Sequence, residues 1–267
     1  MTPARILICA GSDSGGGAGI QADIKTVTAL GGYAMTAITA LTAQNTLGVQ
    51  AVLPVPADFV SAQMRSVLED LGADAVKTGM LGEAPTVLAV AEMLEALAPK
   101  LPLVVDPVMV AKGGAELLSS PAVDALKARL LPRADLLTPN LPEAEVLLGR
   151  NLPDLAAMRV AAQELRQLGA RAVLLKGGHL DGAILHDVLA SEDGVLVFDS
   201  PRVETRHTHG TGCTLASAIA TGLGQGRPLI EAVSRARTYV RDAIRAAPGF
   251  GQGHGPLDHG WPLRGRR

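Results

Sequence analysis

Short aliphatic runs alternate with longer segments of helical spacing along most of this chain, and that alternation limits the possible folds more than any other feature. In the first helical segment Ile20, Ile24 and Val27 recur at three- and four-residue steps, and the segment behind Pro228 shows the same spacing. The runs predicted as strands are Arg5–Cys9, Ala34–Ala40, Gln50–Leu53, Ala73–Lys77, Leu103–Asp106, Asp135–Thr138 and Arg171–Lys176. Strands separated by helices pair in parallel through right-handed crossovers, which predicts a three-layer α/β sandwich with helices on both faces of the sheet.

One stretch departs from this rhythm and predicts an antiparallel edge. The runs Ala183–Ala190 and Val195–Asp199 flank the short polar turn Ser191–Gly194, which is typical of a β-hairpin. The central sheet is therefore expected to be mostly parallel with this hairpin at one edge. We find no internal repeat and no linker, so residues 1–267 are predicted to form a single domain. Residues 248–267 are rich in Gly, Pro and His and are predicted to form an irregular C-terminal tail.

Composition excludes several classes of function. Hydrophobic residues make up 48% of the chain, so a large core is possible, but aromatic residues are only 2% and the core must be aliphatic. A net charge of -2 offers no electrostatic footprint for nucleic acid. No apolar run reaches the roughly 18 residues that a membrane helix needs. The apolar run near the start is too short for a signal peptide, so a cytoplasmic protein is expected. The six histidines lack the spacing of a zinc site.

The motif that most constrains the chemistry is His209-Gly210-Thr211-Gly212-Cys213-Thr214, which opens a helical segment. Two glycines and a helix N-terminus bring several backbone N–H groups around one point, and this predicts an anion-binding hole. Because Cys213 stands at that helix start, its thiol pKa is expected to be lowered, which would make it an acid–base group beside the hole. A glycine-rich turn with a buried structural cysteine is the alternative.

A second glycine-rich stretch, Ala10–Asp23, follows the first strand and opens the first helix. Its glycine spacing fails the dinucleotide-binding pattern, and no Gly-Lys-Ser/Thr follows for a P-loop. A loop that wraps a substrate and a long flexible turn both remain possible. Asp23 lies one turn into the helix, where an isolated carboxylate is more often solvated.

Polar residues follow three of the predicted strands. Asp106 ends one strand, Asn140 and Glu143 follow another, and Lys176 ends a third. In open α/β sheets, ligands bind at the carboxyl ends of the strands. The two carboxylates could hold Mg²⁺ beside the phosphates of ATP, and the lysine suits a polyphosphate. Helix capping explains Asn140 and Glu143 equally well, and a snorkelling lysine explains Lys176.

Taken together and in this order, the motifs resemble the hydroxymethylpyrimidine/phosphomethylpyrimidine kinases of thiamin biosynthesis, members of the ribokinase-like superfamily. The resemblance runs from Ile6 to about Asp258. It includes the stretches Ala10–Asp23, Thr39–Thr46, Lys77–Leu81, Asp106–Met109, Thr138–Ala144, Lys176–His179 and Thr208–Leu215. The cysteine of the last stretch is especially specific, because most of the superfamily carries an aspartate base there.

The resemblance implies a bifunctional kinase with a ribokinase-like fold that uses ATP and Mg²⁺ and lacks the separate lid of sugar kinases. Gln44 would pair with the aminopyrimidine edge, in a pocket lined also by Gly11, Asp23, Met80 and Val108. Gly210, Thr211, Gly212 and Cys213 would form the catalytic anion hole, with Cys213 in the position of the relatives' base. Asp106 and Glu143 would serve the metal, and Lys176, Asn140 and Thr205 the ATP. A homodimer is expected, with a small-molecule pyrimidine as the substrate.

Two residues depart from the pattern of this family, and three other functions compete with it. His207 stands where the family usually has Asn, and Arg237 where it often has Lys; both bear on the nucleotide side.

The rivals are a pyridoxal kinase of the same fold, a non-catalytic pyrimidine-binding regulator, and a cysteine hydrolase using Cys213 and His209. The intact Gly210–Cys213 motif and the two carboxylates argue against the regulator. The hydrolase lacks a third group to orient the histidine.

Overall fold

The computed structural model describes residues 2–110, 114 and 117–264. Its strands are β1 (Arg5–Asp13), β2 (Tyr33–Asn45), β3 (Gly48–Pro54), β4 (Ala75–Thr78), β5 (Leu103–Val105), β6 (Leu136–Leu137), β7 (Val173–Lys176), β8 (Ile184–Ser191) and β9 (Gly194–Pro201). Its helices are α1 (Gly19–Ala29), α2 (Ala57–Asp70), α3 (Ala84–Leu97), α4 (Ser120–Ala125), α5 (Leu141–Leu148), α6 (Leu155–Gln167), α7 (Thr211–Gly224), α8 (Leu229–Arg245) and α9 (Trp261–Arg264). After α4 the chain continues through a π turn, Leu126–Leu130, and a 3-10 turn, Leu131–Arg133.

The described strands form one sheet in the order β3-β2-β1-β4-β5-β6-β7-β8-β9. The six central strands, from β2 to β7, pair in parallel. The predicted hairpin is confirmed as β8 and β9, which pair antiparallel at one edge. The sheet also has a second antiparallel edge, since β3 folds back on β2. In sequence the β3 run looks like one more strand of the alternation, so this second antiparallel edge was not predicted.

Alternating residues of the central strands supply two aliphatic cores, one on each face of the sheet. On β1, Ile6 and Ile8 face the core formed with α1, α7 and α8, whereas Leu7 and Cys9 face the core formed with α2 to α6. All four side chains are fully buried. This double burial explains why the strands have continuous apolar sequences, and it confirms the predicted three-layer arrangement.

Two strands, β1 and β2, extend at least four residues beyond their predicted ends, and both extensions reach the same edge of the sheet. β2 was expected to stop at Ala40 but continues to Asn45, because β3 supplies antiparallel partners from Ala40 onward. β1 continues past its apolar run to Asp13, where Ser12 and Asp13 pair with Leu41 and Thr42. Propensity at Gly11-Ser12-Asp13 does not favour a strand, so tertiary pairing decides the outcome.

The C-terminal segment packs closely against the rest of the chain. Residues 248–260 contain no regular element in the described structure, and the short helix α9 follows. Leu257, Asp258 and His259 are nevertheless buried, and the Tyr239 hydroxyl donates to the carbonyl of His259 at 2.6 Å. In the described part of the chain, no helix is both long and apolar enough to span a membrane.

Candidate active site

A cleft opens at the carboxyl ends of the parallel strands. This is the edge where the strand-end polar residues were predicted to meet. Most of the predicted site residues line it: Gly11, Gln44, Met80, Asp106, Val108, Asn140, Glu143, Lys176, Gly210, Thr211, Gly212 and Cys213. The fold thus brings together residues that are up to about two hundred positions apart in the sequence.

The start of α7 supplies the backbone donors of the cleft. Gly210 precedes the helix in the left-handed conformation, with φ of 83°. A Cβ there would also collide with the carbonyl of Gly17, so both the turn and the close approach require glycine. The first-turn N–H groups of a helix have no intrahelical acceptor, which leaves those of Gly212 and Cys213 available for an anion.

A cation and a carboxylate face these donors. A Cβ built on Gly212 would lie 3.2 Å from Nζ of Lys176 and 3.7 Å from Oδ2 of Asp106. Lys176 Nζ donates to Oδ1 of Asp106 at 3.1 Å, and Thr138 Oγ1 donates to the same oxygen at 3.0 Å. Burial opposes the charge of Lys176, but Asp106 and Glu143 together outweigh that effect and raise the pKa of its ammonium group. Lys176 therefore stays charged beside the anion hole.

The prediction of a lowered pKa for the Cys213 thiol is wrong. Burial raises its pKa to about 12; the ammonium of Lys77 opposes this rise, whereas the carboxylates of Asp23 and Asp106 reinforce it. The helix N-terminus and the Gly19 N–H favour the thiolate but do not offset the loss of solvation. At neutral pH, Cys213 is a thiol.

Glu143 and Asn140 form a reciprocal capping box at the start of α5. The backbone N–H of Glu143 donates to Asn140 Oδ1 at 2.9 Å, and the N–H of Asn140 donates to Glu143 Oε2 at 2.8 Å. Helix capping, the alternative left open by the sequence, therefore accounts for their spacing. Both residues also line the cleft. Burial raises the pKa of Glu143; Lys176 opposes that rise and Asp106 adds to it.

The donor set fits a hydrated magnesium ion that is shared with phosphate. Asp106 and Glu143 are both buried, and their negative charges face one ammonium group in the same cleft. Among the described residues, no group of three or more His, Cys, Asp or Glu side chains is arranged to hold a metal by itself. Mg²⁺ usually keeps several waters and takes one or two carboxylates plus substrate phosphates, which matches two carboxylates beside an anion hole.

Asp23 does not line the cleft, contrary to the expectation drawn from the resemblance. Its side chain is fully buried, and both of its oxygens accept from Nζ of Lys77, at 3.0 and 2.9 Å. Ser217 Oγ on α7 donates to it at 2.7 Å. Lys77, not singled out from the sequence, separates Asp23 from the cleft and itself lines the cleft. An unpaired carboxylate could not remain charged at this depth, so the pair forms as a unit.

Thr205 is also not among the residues that line the described cleft. Its hydroxyl accepts from the N–H of His207 at 3.1 Å, a local turn contact. Arg237, one of the two departures from the family pattern, lies on α8. It donates to Asp187 Oδ2 at 2.8 Å, and its guanidinium lies 5.1 Å from the ring centroid of Phe198. Arg237 therefore holds the β8–β9 hairpin against α8.

Two cleft residues were missed as a functional pair, Asp13 and His209. Asp13 is 2% exposed, and it accepts from the N–H groups of Gly15, Gly17 and Ala18. Its Oδ2 lies 2.9 Å from Nε2 of His209. These donors outweigh the effect of burial and lower the pKa of Asp13. The pair joins the end of β1 to the anion-hole loop, 196 positions away, and the sequence carries no signal for that contact.

The chain matches a family model described as phosphomethylpyrimidine kinase over residues 13–258. It is 49% identical over 263 residues to a hydroxymethylpyrimidine/phosphomethylpyrimidine kinase of Streptomyces coelicolor, covering 98% of this chain and 97% of that protein. It is also 55% identical over 254 residues to the thiamine biosynthesis bifunctional protein ThiED of Geobacter sulfurreducens. That match covers 95% of this chain, but the chain spans only 52% of that longer protein.

Solved structures give the same fold. An ADP complex of Bacillus subtilis pyridoxal kinase superposes with a TM-score of 0.91 at 36% identity. The match covers 98% of this chain and 99% of that one. This chain therefore shares its fold with a kinase of pyridoxal.

Proposed function

The chain belongs to the phosphomethylpyrimidine kinase family, and from that membership we propose the following roles for the residues of its cleft. It is a bifunctional kinase of thiamine biosynthesis with a ribokinase-like fold. ATP phosphorylates the hydroxymethyl group of 4-amino-5-hydroxymethyl-2-methylpyrimidine, and a second ATP phosphorylates the resulting monophosphate to the diphosphate. Nothing is inferred for this chain from the part of the longer Geobacter protein that it does not match.

The proposed roles rest on three kinds of group that lie around the space beside Gly212: backbone N–H donors, an ammonium group and a carboxylate. The N–H donors of Gly212 and Cys213, the ammonium of Lys176 and the carboxylate of Asp106 all border the space beside Gly212. Phosphoryl transfer asks the protein mainly to position the reactants and to stabilise charge on the transferred phosphoryl oxygens. Backbone donors and a fixed cation supply that stabilisation without reorganisation.

Each residue then has a defined task. Gln44, with Gly11, Met80 and Val108 around it, holds the pyrimidine so that its hydroxymethyl group points toward the start of α7. Gly210 to Cys213 receive the charge of the transferred phosphoryl group. Lys176 and Asn140 lie on the ATP side. We retain Thr205 as an ATP contact only on the resemblance, since it does not line the described cleft.

Asp106 and Glu143 would hold Mg²⁺ through water and the phosphates of ATP. Bound there, the ion would neutralise phosphate charge during transfer. The proton of the acceptor hydroxyl has no ionised thiol to receive it, because Cys213 is protonated at neutral pH. A loose phosphoryl transition state needs little help from a base, so the proton is able to leave late.

The test is direct conversion by the purified protein. With ATP and Mg²⁺, hydroxymethylpyrimidine should disappear and the monophosphate and then the diphosphate should appear. Gly212→Val is the control, because a side chain at that position fills the space beside Lys176 and should abolish both steps. Absence of both products with the wild-type protein would refute the function.

A pyridoxal kinase is the second candidate function, and the close superposition on the Bacillus subtilis enzyme favours including it. The comparison is the ratio of kcat/KM for the pyrimidine to that for pyridoxal, measured with one preparation. We expect the pyrimidine to be preferred. A ratio below one would make pyridoxal the principal substrate.

Three further properties are part of the proposal. The chain acts as a single kinase domain, as a homodimer, and in the cytoplasm. The homodimer is supported by exposed apolar residues on the edge hairpin β2–β3, among them Leu41, Leu47 and Leu53.

A further inference from the structure

The side-chain amide of Gln44 lies between two groups that determine its orientation. One of its terminal atoms is 3.3 Å from Nε2 of His209, and the other is 3.2 Å from Oγ1 of Thr42. The oxygen and nitrogen of an amide have nearly the same size, so the hydrogen bonds of the neighbours decide which atom lies where.

The first neighbour is His209, and Asp13 determines that the Nε2 atom of its ring carries a proton. Asp13 Oδ2 is 2.9 Å from Nε2 of His209, and the Asp13 carboxylate already accepts three backbone N–H groups. A carboxylate with that many donors is ionised, so a hydrogen bond to it requires a proton on Nε2. With the amide nitrogen of Gln44 beside His209, as in the structure, two N–H donors would face each other. The single Nε2 proton points to Asp13, so an amide oxygen in that place would be the second, weaker acceptor of a three-centre hydrogen bond and would avoid the clash of donors.

The second neighbour, Thr42, independently supports the same orientation. Its hydroxyl has one proton, and Oγ1 lies 2.8 Å from the carbonyl oxygen of Ser12, which has no proton to give. Thr42 therefore donates to Ser12 and can only accept from Gln44. The atom of Gln44 beside Thr42 should then be nitrogen.

We propose that Asp13 and His209 are positioning residues that lock the Gln44 amide with its oxygen toward His209 and its nitrogen toward Thr42. The inference rests on the proposed function, in which Gln44 binds the pyrimidine edge. In this orientation one N–H and one oxygen lone pair remain free for the substrate, in a fixed order. An unrestrained glutamine could turn over and present the reverse order.

A fixed order selects between two classes of pyrimidine. The edge of a 4-aminopyrimidine offers an acceptor at the ring nitrogen and a donor at the amino group. A 4-oxopyrimidine reverses the two, with a donor at the ring nitrogen and an acceptor at the oxygen. The locked amide pairs with the first and opposes the second, so Asp13 and His209 would make the site specific for aminopyrimidines.

The packing around His209 leaves little room for another arrangement. A Cβ on Gly17 would lie 2.5 Å from Cδ2 of the His209 ring, so the ring lies directly on the glycine loop that Asp13 organises. The N–H of His209 donates to the carbonyl of Gly255 at 3.1 Å, which holds its backbone from the other side. The ring position is therefore set by the loop and the C-terminal segment together.

The experiment compares kcat/KM for the 4-amino substrate with that for its 4-oxo counterpart, which keeps the hydroxymethyl group. For the wild-type protein we expect a preference of about a hundredfold or more, because a mismatched buried polar pair is strongly rejected. In His209→Phe and in Asp13→Asn that ratio should fall by about tenfold, since Thr42 alone then restrains the amide and the reverse orientation becomes accessible. A general loss of structure would lower both rates together and leave the ratio unchanged.

Lys25→Ala is the matched control. Its Nζ donates to the carbonyl of Gly16 at 2.9 Å, so the variant weakens the same loop without touching Gln44, and its ratio should equal that of the wild type. An unchanged ratio in His209→Phe would overturn the proposal. A wild-type protein that fails to phosphorylate the 4-amino substrate would instead refute the proposed function. A measurement on the wild-type protein tests the inference even if the variants do not fold. In ¹⁵N NMR the His209 ring should show a protonated Nε2. An unprotonated Nε2 would also overturn the inference.

Discussion

Cys213 is subject to opposing influences at the start of α7. The helix N-terminus and Lys77 favour a thiolate, whereas burial and two nearby carboxylates favour the thiol and raise its pKa to about 12. The residue that looks most like a base in the sequence is therefore protonated in the folded protein. In the proposed reaction Cys213 would therefore act through its backbone N–H and its packing, not through an ionised sulfur.

Replacing the thiol should accordingly cost little. In Cys213→Ala the backbone donors of the anion hole remain, and we expect kcat to fall by less than about tenfold, below the range typical of a lost general base. Because the thiol stays protonated up to about pH 12, its ionisation should add no limb to the pH profile of kcat between pH 6 and 10. Rate measurements on both proteins across that range test this. A loss above a hundredfold would restore Cys213 as the proton acceptor.

The buried pair of Lys77 and Asp23 should act on stability. Removing one partner leaves a buried charge without compensation, so Asp23→Asn should lower the free energy of unfolding by about 3–5 kcal/mol. The double variant Asp23→Asn with Lys77→Met removes the orphaned ammonium and should be less destabilised than the single variant. Urea unfolding of the wild type and both variants gives the comparison. Equal stability of the single variant and the wild type would show that the pair is dispensable.

At the scale of elements, the alternation of apolar runs with helical segments was sufficient to predict the three-layer sandwich, and two runs around a polar turn were sufficient to predict the β8–β9 hairpin. These patterns failed where pairing, not propensity, makes a strand. The end of β2, which carries Gln44, is a strand because β3 folds back on it. The site was predictable where its residues end strands or open helices, as with Lys176 and Gly212. The bond between Asp13 and His209 arises only from the folded loops, so no local pattern announces it.

The C-terminal segment contacts α7 directly after Cys213. His259 is 3% exposed, and its Nε2 lies 2.9 Å from Oγ1 of Thr214, the residue after Cys213. Burial lowers the pKa of His259 from the ordinary 6.5 to about 4. The folded protein therefore keeps a neutral imidazole at pH values where the unfolded chain binds a proton.

The sign of the resulting pH dependence follows from linkage. Well above pH 6.5 His259 is neutral in both states. As the pH falls toward 4 the unfolded chain gains a proton that the folded protein does not bind, so stability falls. The loss contributed by this residue should approach about 3 kcal/mol at the lower end. His259→Gln removes the titrating group, and its unfolding free energy should vary less between pH 7 and 4.5. Identical slopes for the two proteins would exclude His259 as the source.

At the scale of the whole molecule, the edge hairpin β2–β3 is the surface best suited to a second copy of the chain. Its outer strand β3 is an edge whose backbone groups on one side have no partner strand in the described sheet. The cross-strand pair Leu41 and Leu53 is 45% and 64% exposed, and Leu47 at the turn is 66% exposed. Exposed leucines grouped on an edge favour association over solvation.

We therefore expect the wild-type protein to sediment as a dimer and Leu53→Glu to sediment as a monomer, because a carboxylate buried in an apolar interface is costly to desolvate. Val160→Glu is the matched control: Val160 is 51% exposed on α6, far along the sheet from β3, and its variant should remain a dimer. Sedimentation velocity over a range of concentrations distinguishes these cases. Since Gln44 lies on the same hairpin, KM for the pyrimidine should rise in the Leu53→Glu monomer while KM for ATP stays nearly constant. A Leu53→Glu protein that still dimerises would place the interface elsewhere, and a monomeric wild type would exclude the homodimer.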